Sequence, residues 1–163
     1  MQALFDEWLK LATHIGAICV AEKRVIAGAE SCTGGLIAAV LTSVSGSSAW
    51  VDRGFVTYSN EAKMEMLDVA SATLDAYGAV SEETAREMAA GALKNSRATI
   101  AYSVTGVAGP TGGTDSKPVG MVCFGFATAQ NLTSVTQYFQ GDRSSVREQS
   151  VNFVLATLAR ATI

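Results

Sequence analysis

In the run AGAESCTGGLIAAV, residues 27–40, Ser31 is the side chain best placed to attack a carbonyl carbon. Small residues lead up to it, two glycines follow, and then comes an apolar segment. This is the pattern of a buried strand that turns sharply into a helix. The first backbone N–H groups of a helix have no partner within it, so they point at whatever lies beside the turn. Gly34 and Gly35 let backbone or ligand approach closely. Such a corner suits an anion or a tetrahedral oxyanion. Two readings of Ser31 stay open at this point, because serine is also a favoured helix N-cap. Cys32 competes as nucleophile, since a thiol at a helix start can have a lowered pKa. Cysteine is equally at home as a small core residue.

A serine nucleophile needs a base. The chain has one histidine, His14, beside the apolar stripe of the first helix with no catalytic partner in view. A lysine can serve if burial lowers its pKa from about 10.4 toward neutrality, a drop of about three pH units or ~4 kcal/mol. Of the five lysines, Lys10 falls on a polar helix face, Lys23 precedes a strand, Lys94 sits in a last helical turn and Lys117 borders a glycine-rich loop. Lys63, just beyond FVTYSN and among Tyr58, Met64 and Met66, is the best candidate for a desolvated site. The compact S-x-x-K pattern is absent, since Gly34 stands three residues after Ser31.

Two further corners offer contacts to a ligand. The loop SVTGVAGPTGGTDSKPVG (103–120) is rich in glycine after a strand, but lacks the Walker ending and the dinucleotide fingerprint. In GDRSSVR (141–147), Arg143 stands where a guanidinium can meet a phosphate with two parallel hydrogen bonds. Taken alone, a surface arginine is the plainer reading.

The elements that must position these residues follow from periodicity. Leu4, Trp8, Leu11, Ile15 and Cys19 form one stripe, which predicts an amphipathic helix over 3–22. Strands are expected at 24–30, 54–59, 97–106, 118–128 and 132–140, the last two as a hairpin turning near Asn131. Helices are expected at 33–43, after an Asn60 cap, after a Ser81 cap with Glu82 and Glu83 in its first turn, and from an Asp142 cap to about Arg160. Early alternation and a late hairpin predict an α/β fold: a mixed sheet with helices on both faces, in three α/β/α layers.

Composition narrows the classes. With 163 residues, 48% apolar and 17% charged, the chain fits one globular domain, 1–163. A net charge of −3 gives no reason to expect a nucleic-acid partner. Asp6, Glu7 and Lys10 interrupt the first segment as no signal peptide would, and no run reads as a membrane span. Three scattered cysteines form neither a disulfide framework nor a zinc pattern and fit a reducing cytoplasm.

Together, ESCTGG, GSSAW…GFVTYSNEAK, GAVSEETAREMA, TGVAGPTGG…KPVG and GDR resemble, in this order, the CinA C-terminal domain family. The likeness runs over about residues 5–160. It implies an α/β/α fold, a serine–lysine hydrolytic dyad and, for stand-alone members, removal of ammonia from nicotinamide mononucleotide in NAD recycling. Carried over residue by residue, the serine is Ser31, the lysine Lys63, the tyrosine Tyr58 and the arginine Arg143, with Thr105 and Gly106 in the pocket loop. The expected roles follow. Lys63 is the base, Tyr58 orients the dyad, backbone N–H groups near Thr33 and Gly34 hold the oxyanion, and Arg143 with the loop holds the phosphate. No cofactor or metal is implied, and a homodimer is. Thr111 stands where the family's loop commonly carries an acid, which bears on ribose and loop contacts rather than on the dyad. A non-catalytic nucleotide-binding module, or an interaction domain tied to competence and DNA damage, are the other classes the resemblance admits.

Overall fold

The computed structural model describes residues 2–160 and Ile163. In chain order the elements are α1 (Gln2–Glu22), β1 (Ile26–Glu30), α2 (Leu36–Thr42), β2 (Val51–Val56), α3 (Asn60–Leu67), α4 (Ser71–Tyr77), α5 (Glu82–Lys94), β3 (Ile100–Gly106), β4 (Met121–Thr128), β5 (Leu132–Tyr138) and α6 (Arg143–Leu158). A short 3₁₀ turn, Ser47–Ala49, leads into β2.

The strands form one mixed sheet in the order β2-β1-β3-β4-β5. β1 runs parallel to both β2 and β3, and β3, β4 and β5 pair antiparallel. Parallel neighbours need crossover connections. These are α2, between β1 and β2, and the α3–α5 segment, between β2 and β3. The expected β4–β5 hairpin is present, with Ala127 opposite Leu132.

Period-two alternation sends the large strand residues one way and the small ones the other. Ile26, Tyr102 and Phe124 join Ile15, Ile37 and Leu155 in the larger core, under α1, α2 and α6. Phe124 packs on Phe153 with ring centroids 4.4 Å apart. Burying such a side chain fully stabilises by about 1.5–3 kcal/mol. On the opposite face Ala29 and Ala101 meet Leu67, Met88 and Ala92. Their small size lets α5 lie close enough for Ser103 Oγ to donate to the Ala85 carbonyl at 2.5 Å.

Local differences from the sequence reading have local causes. Helix α2 begins at Leu36 rather than residue 33, because Gly34 and Gly35 take positive φ values of 60° and 97° that no helix contains. The strand expected at 54–59 ends at Val56, and Ser59, not Asn60, caps α3 by accepting from the Ala62 amide. Ser81 and Asp142 cap α5 and α6 as expected. α4 has no place in the sequence reading; none of its residues is buried, so it carries no strong apolar stripe.

Glu30 is opposite Val56 in one neighbour and Val104 in the other, so the three parallel strands end close together. The turns after them converge at one sheet edge, where open α/β sheets bind ligands. The start of α6 reaches the same edge because β5 returns there.

Candidate active site

Two of these turns bring Ser31 and Lys63 together. Ser31 follows β1 directly, and Lys63 lies in the first turns of α3, whose cap at Ser59 sets where the helix begins. Lys63 Nζ is 3.1 Å from Ser31 Oγ and 2.9 Å from the Thr57 carbonyl oxygen, donating to both. Lys63 is 1% exposed, a depth at which lysine is rare. Desolvation lowers its pKa from the ordinary 10.5, against a smaller opposing influence of Cys32. Its place near the positive end of α3 also disfavours the cation. A seryl hydroxyl in contact with such an amine is the pairing of a nucleophile and its base.

Glu30, to which the sequence reading gave no role, holds the nucleophile's turn from behind. Its carboxylate is 1% exposed and accepts five hydrogen bonds. Oε1 takes them from Thr33 Oγ1 (2.6 Å), the Gly35 amide (3.2 Å) and the Ile37 amide (3.1 Å). Oε2 takes them from the Ala38 amide (3.0 Å) and Tyr102 Oη (3.2 Å). Glu30 therefore caps α2 in place of Ser31, which leaves the seryl hydroxyl to Lys63. Tyr102 reaches the carboxylate across Gly28, where a Cβ would lie 2.1 Å from the tyrosine ring. From α6, Arg147 donates Nε to the Cys32 carbonyl and Nη2 to the Thr33 carbonyl, each at 3.2 Å. One sequence signal for Glu30 exists: a carboxylate at the end of a buried small-residue strand, just ahead of a helix N-terminus. Arg147 had none.

A cavity of about 230 Å³ opens over the dyad. Ser31, Lys63, Tyr58, Thr105, Gly106 and Arg143 all line it, so the structure brings these expected site residues together. Arg143 donates one N–H to the Gly109 carbonyl (2.9 Å) and one to Tyr58 Oη (3.0 Å). A guanidinium carries five such donors. Tyr58 is 63% exposed and forms the rim, and its hydroxyl faces Arg143 rather than the dyad. Thr105 Oγ1 donates to the Ala79 carbonyl, fixing the loop before α5 as another wall.

Thr33 and Gly34 stand apart from this group and do not line the cavity. The Thr33 hydroxyl is committed to Glu30, and the Gly34 amide donates to the Ser31 carbonyl at 3.0 Å, which removes it as an oxyanion donor. The nucleophile's own amide is likewise taken, by the Val104 carbonyl at 2.9 Å. Cys32 lines the cavity, but desolvation pushes its thiol up to about 11, which argues against a thiolate. No carboxylate lines the cavity, so its charge favours an anionic ligand. Among the described residues, no cluster of three His, Cys, Asp or Glu side chains converges as a metal site, and no helix is long and apolar enough to cross a membrane.

A buried amine on a seryl hydroxyl, at the carboxyl edge of a three-layer α/β sheet, defines the class of a hydrolase-like site. Comparison supplies the family. Residues 9–162 match the CinA C-terminal domain, and the chain belongs to that family. It is 52% identical over 155 residues to the nicotinamide-nucleotide amidohydrolase PncC of Enterobacter agglomerans, covering 94% of each chain. It is 50% identical to the protein of the same name from Escherichia coli K12, over 94% of this chain and 93% of that one. The crystal structure of a competence/damage-inducible protein from Agrobacterium tumefaciens superposes with a TM-score of 0.89, at 46% identity and 93% coverage of both chains.

Proposed function

We propose that the chain is a nicotinamide-nucleotide amidase, hydrolysing nicotinamide mononucleotide to nicotinate mononucleotide and ammonia within pyridine-nucleotide recycling. The substrate comes from the names of the relatives. The mechanism rests on one observation, the 3.1 Å contact between Ser31 Oγ and the 1% exposed amine of Lys63.

With Lys63 neutral, its lone pair accepts the seryl proton as Ser31 Oγ attacks the carboxamide carbon. The tetrahedral oxyanion forms beside the Cys32 amide, on the cavity wall next to Ser31. Arg147 fixes the peptide planes of this turn through the Cys32 and Thr33 carbonyls. The Lys63 ammonium then returns its proton to the leaving nitrogen, ammonia departs, and a nicotinoyl ester remains on Ser31. Water attacks that ester with Lys63 again taking the proton, and Lys63 hands it to Ser31 Oγ as the acyl–oxygen bond breaks. The substrate phosphate lies toward Arg143, a permanent cation on the cavity wall. Family likeness recommends a homodimer and a cytoplasmic setting, and the three free, buried cysteines accord with the latter.

The deciding experiment measures ammonia release from nicotinamide mononucleotide by the purified chain and by Ser31→Ala. Release by the parent and none by the variant is expected. Tight binding of the nucleotide with no ammonia between pH 6 and 10 (~ the span from a depressed to an ordinary lysine pKa) would make it a binding module instead.

A further inference from the structure

Thr57 Oγ1 is the one buried side-chain polar atom without a hydrogen-bond partner among the described residues. Thr57 is 0% exposed. Its backbone is bound at both ends, the amide donating to the Glu30 carbonyl at 2.9 Å and the carbonyl accepting from Lys63 Nζ at 2.9 Å. Valine has the same shape without the hydroxyl, so packing does not require threonine here. An orphaned polar group beside a site calls for an explanation in the chemistry of that site.

The explanation lies in the donor count at Lys63. A neutral amine has two N–H groups and a lone pair. One N–H meets the Thr57 carbonyl, the lone pair accepts from Ser31, and the other N–H is left without an acceptor, a modest cost while the amine is uncharged. An ammonium has three N–H groups. The resting site gives it two acceptors, Ser31 Oγ and the Thr57 carbonyl. The third must come from near at hand, because Lys63 is 1% exposed. The hydroxyl belongs to the residue that already anchors Nζ; it makes no bond to Nζ at rest, and a turn about the Thr57 Cα–Cβ bond is the motion that offers it to the amine. We propose that Thr57 is a positioning residue whose hydroxyl accepts the third N–H of Lys63 once Lys63 has taken the seryl proton. The orphan of the resting site is then a partner held ready for the protonated one. This rests on the serine–lysine reading above.

The other groups around Lys63 are the same in every variant considered. They are the Cys32 thiol on the nucleophile's turn, Tyr58 beyond β2 and Arg143 at the start of α6. Glu61 and Glu65 on α3 itself are exposed, and Glu87, from the α5 helix packed on α3, accepts from the Ala70 amide.

The test compares Thr57→Val, Thr57→Ser and Lys63→Arg with the parent, using nicotinamide mononucleotide across the pH range. Loss of an acceptor to a charged donor lowers plateau kcat roughly 10- to 100-fold. It also moves the acidic limb about one to two pH units lower, because the ammonium is less favoured. Thr57→Val is expected to show both effects and to unfold no earlier than the parent, since it loses an unpaired group. Thr57→Ser keeps the hydroxyl and should restore limb and plateau. A Thr57→Val profile identical to the parent's, with Lys63→Arg inactive, overturns the role of Thr57 and leaves the dyad standing. Equal losses in Thr57→Val and Thr57→Ser overturn it too, by pointing to packing. Full activity of Lys63→Arg defeats the dyad reading itself.

Discussion

Replacing Glu30 by glutamine tests whether the nucleophile's turn is held by a carboxylate. The side chains are nearly isosteric, so what changes is charge and one acceptor. Of the five donors on the carboxylate, three are backbone amides that can only donate. Glutamine's better orientation puts its oxygen at Oε1, keeping Thr33, Gly35 and Ile37, and its NH₂ at Oε2. Tyr102 Oη can turn and accept from that NH₂, but the Ala38 amide then faces another donor. One lost bond to a charged acceptor costs about 1.5–3 kcal/mol, and weakening of the other three to neutral bonds brings the total to roughly 3 kcal/mol or more. For a chain of this length that lowers Tm by roughly 6–12 °C. An ångström of slack in the turn should lower kcat on the order of 100-fold with KM little moved, because the phosphate contacts are elsewhere. Thermal or urea unfolding reads the first effect and steady-state ammonia release the second. A Glu30→Gln protein as stable as the parent, with parental kcat, would show that the carboxylate does not hold the turn.

Three further expectations follow from the same geometry. Burial lowers the Lys63 pKa below 10.5, so between that lowered value and 10.5 the unfolded chain binds a proton that the folded chain does not. The parent should therefore lose stability relative to Lys63→Met as pH falls from above 10.5, and parallel pH–stability curves would contradict this; Lys63→Met should also be inactive. Cys32→Ala should keep most activity, since desolvation holds the thiol near 11; a dead Cys32→Ala beside an active Ser31→Ala would exchange the nucleophiles. Arg143→Ala should cost ~10- to 150-fold in kcat/KM on the nucleotide and little on its riboside, and equal proportional losses on both would remove Arg143 from phosphate binding.

What the sequence makes legible is whatever local pattern controls. The ESCTGG corner reads correctly as strand, turn and helix because its small residues and glycines admit little else. Ser81 and Asp142 read as caps because short polar side chains ahead of an apolar period have one common use. Lys63 is readable only by elimination, since nothing local tells that its neighbours fold over it. Glu30 and Arg147 escape for a related reason: their partners lie across the fold, at Tyr102 and at the Cys32–Thr33 carbonyls. α4 escapes because a two-turn helix with no buried residue leaves no apolar stripe. β2 is displaced because its register is set by β1, with Ile26 opposite Val51, rather than by its own alternation.

Three buried polar side chains at this sheet edge differ in how far they are satisfied, and the order matches what each must do. Glu30 has five partners, so its position is over-determined; that suits a group which keeps one state and holds the turn carrying Ser31. Lys63 has two, enough to aim the amine but fewer than its charged form needs. Thr57 Oγ1 has none. A site in which every acceptor was taken at rest would resist the proton transfer, because the charged amine would find no third acceptor among its neighbours. A site with several unsatisfied groups would not stay folded over a desolvated lysine. One rigid carboxylate, one titrating amine and one vacant hydroxyl meet both demands. The stabilising carboxylate can therefore be sought by unfolding and the hydroxyl by activity across pH: Glu30 acts in every state of the enzyme, and Thr57 chiefly when Lys63 is charged.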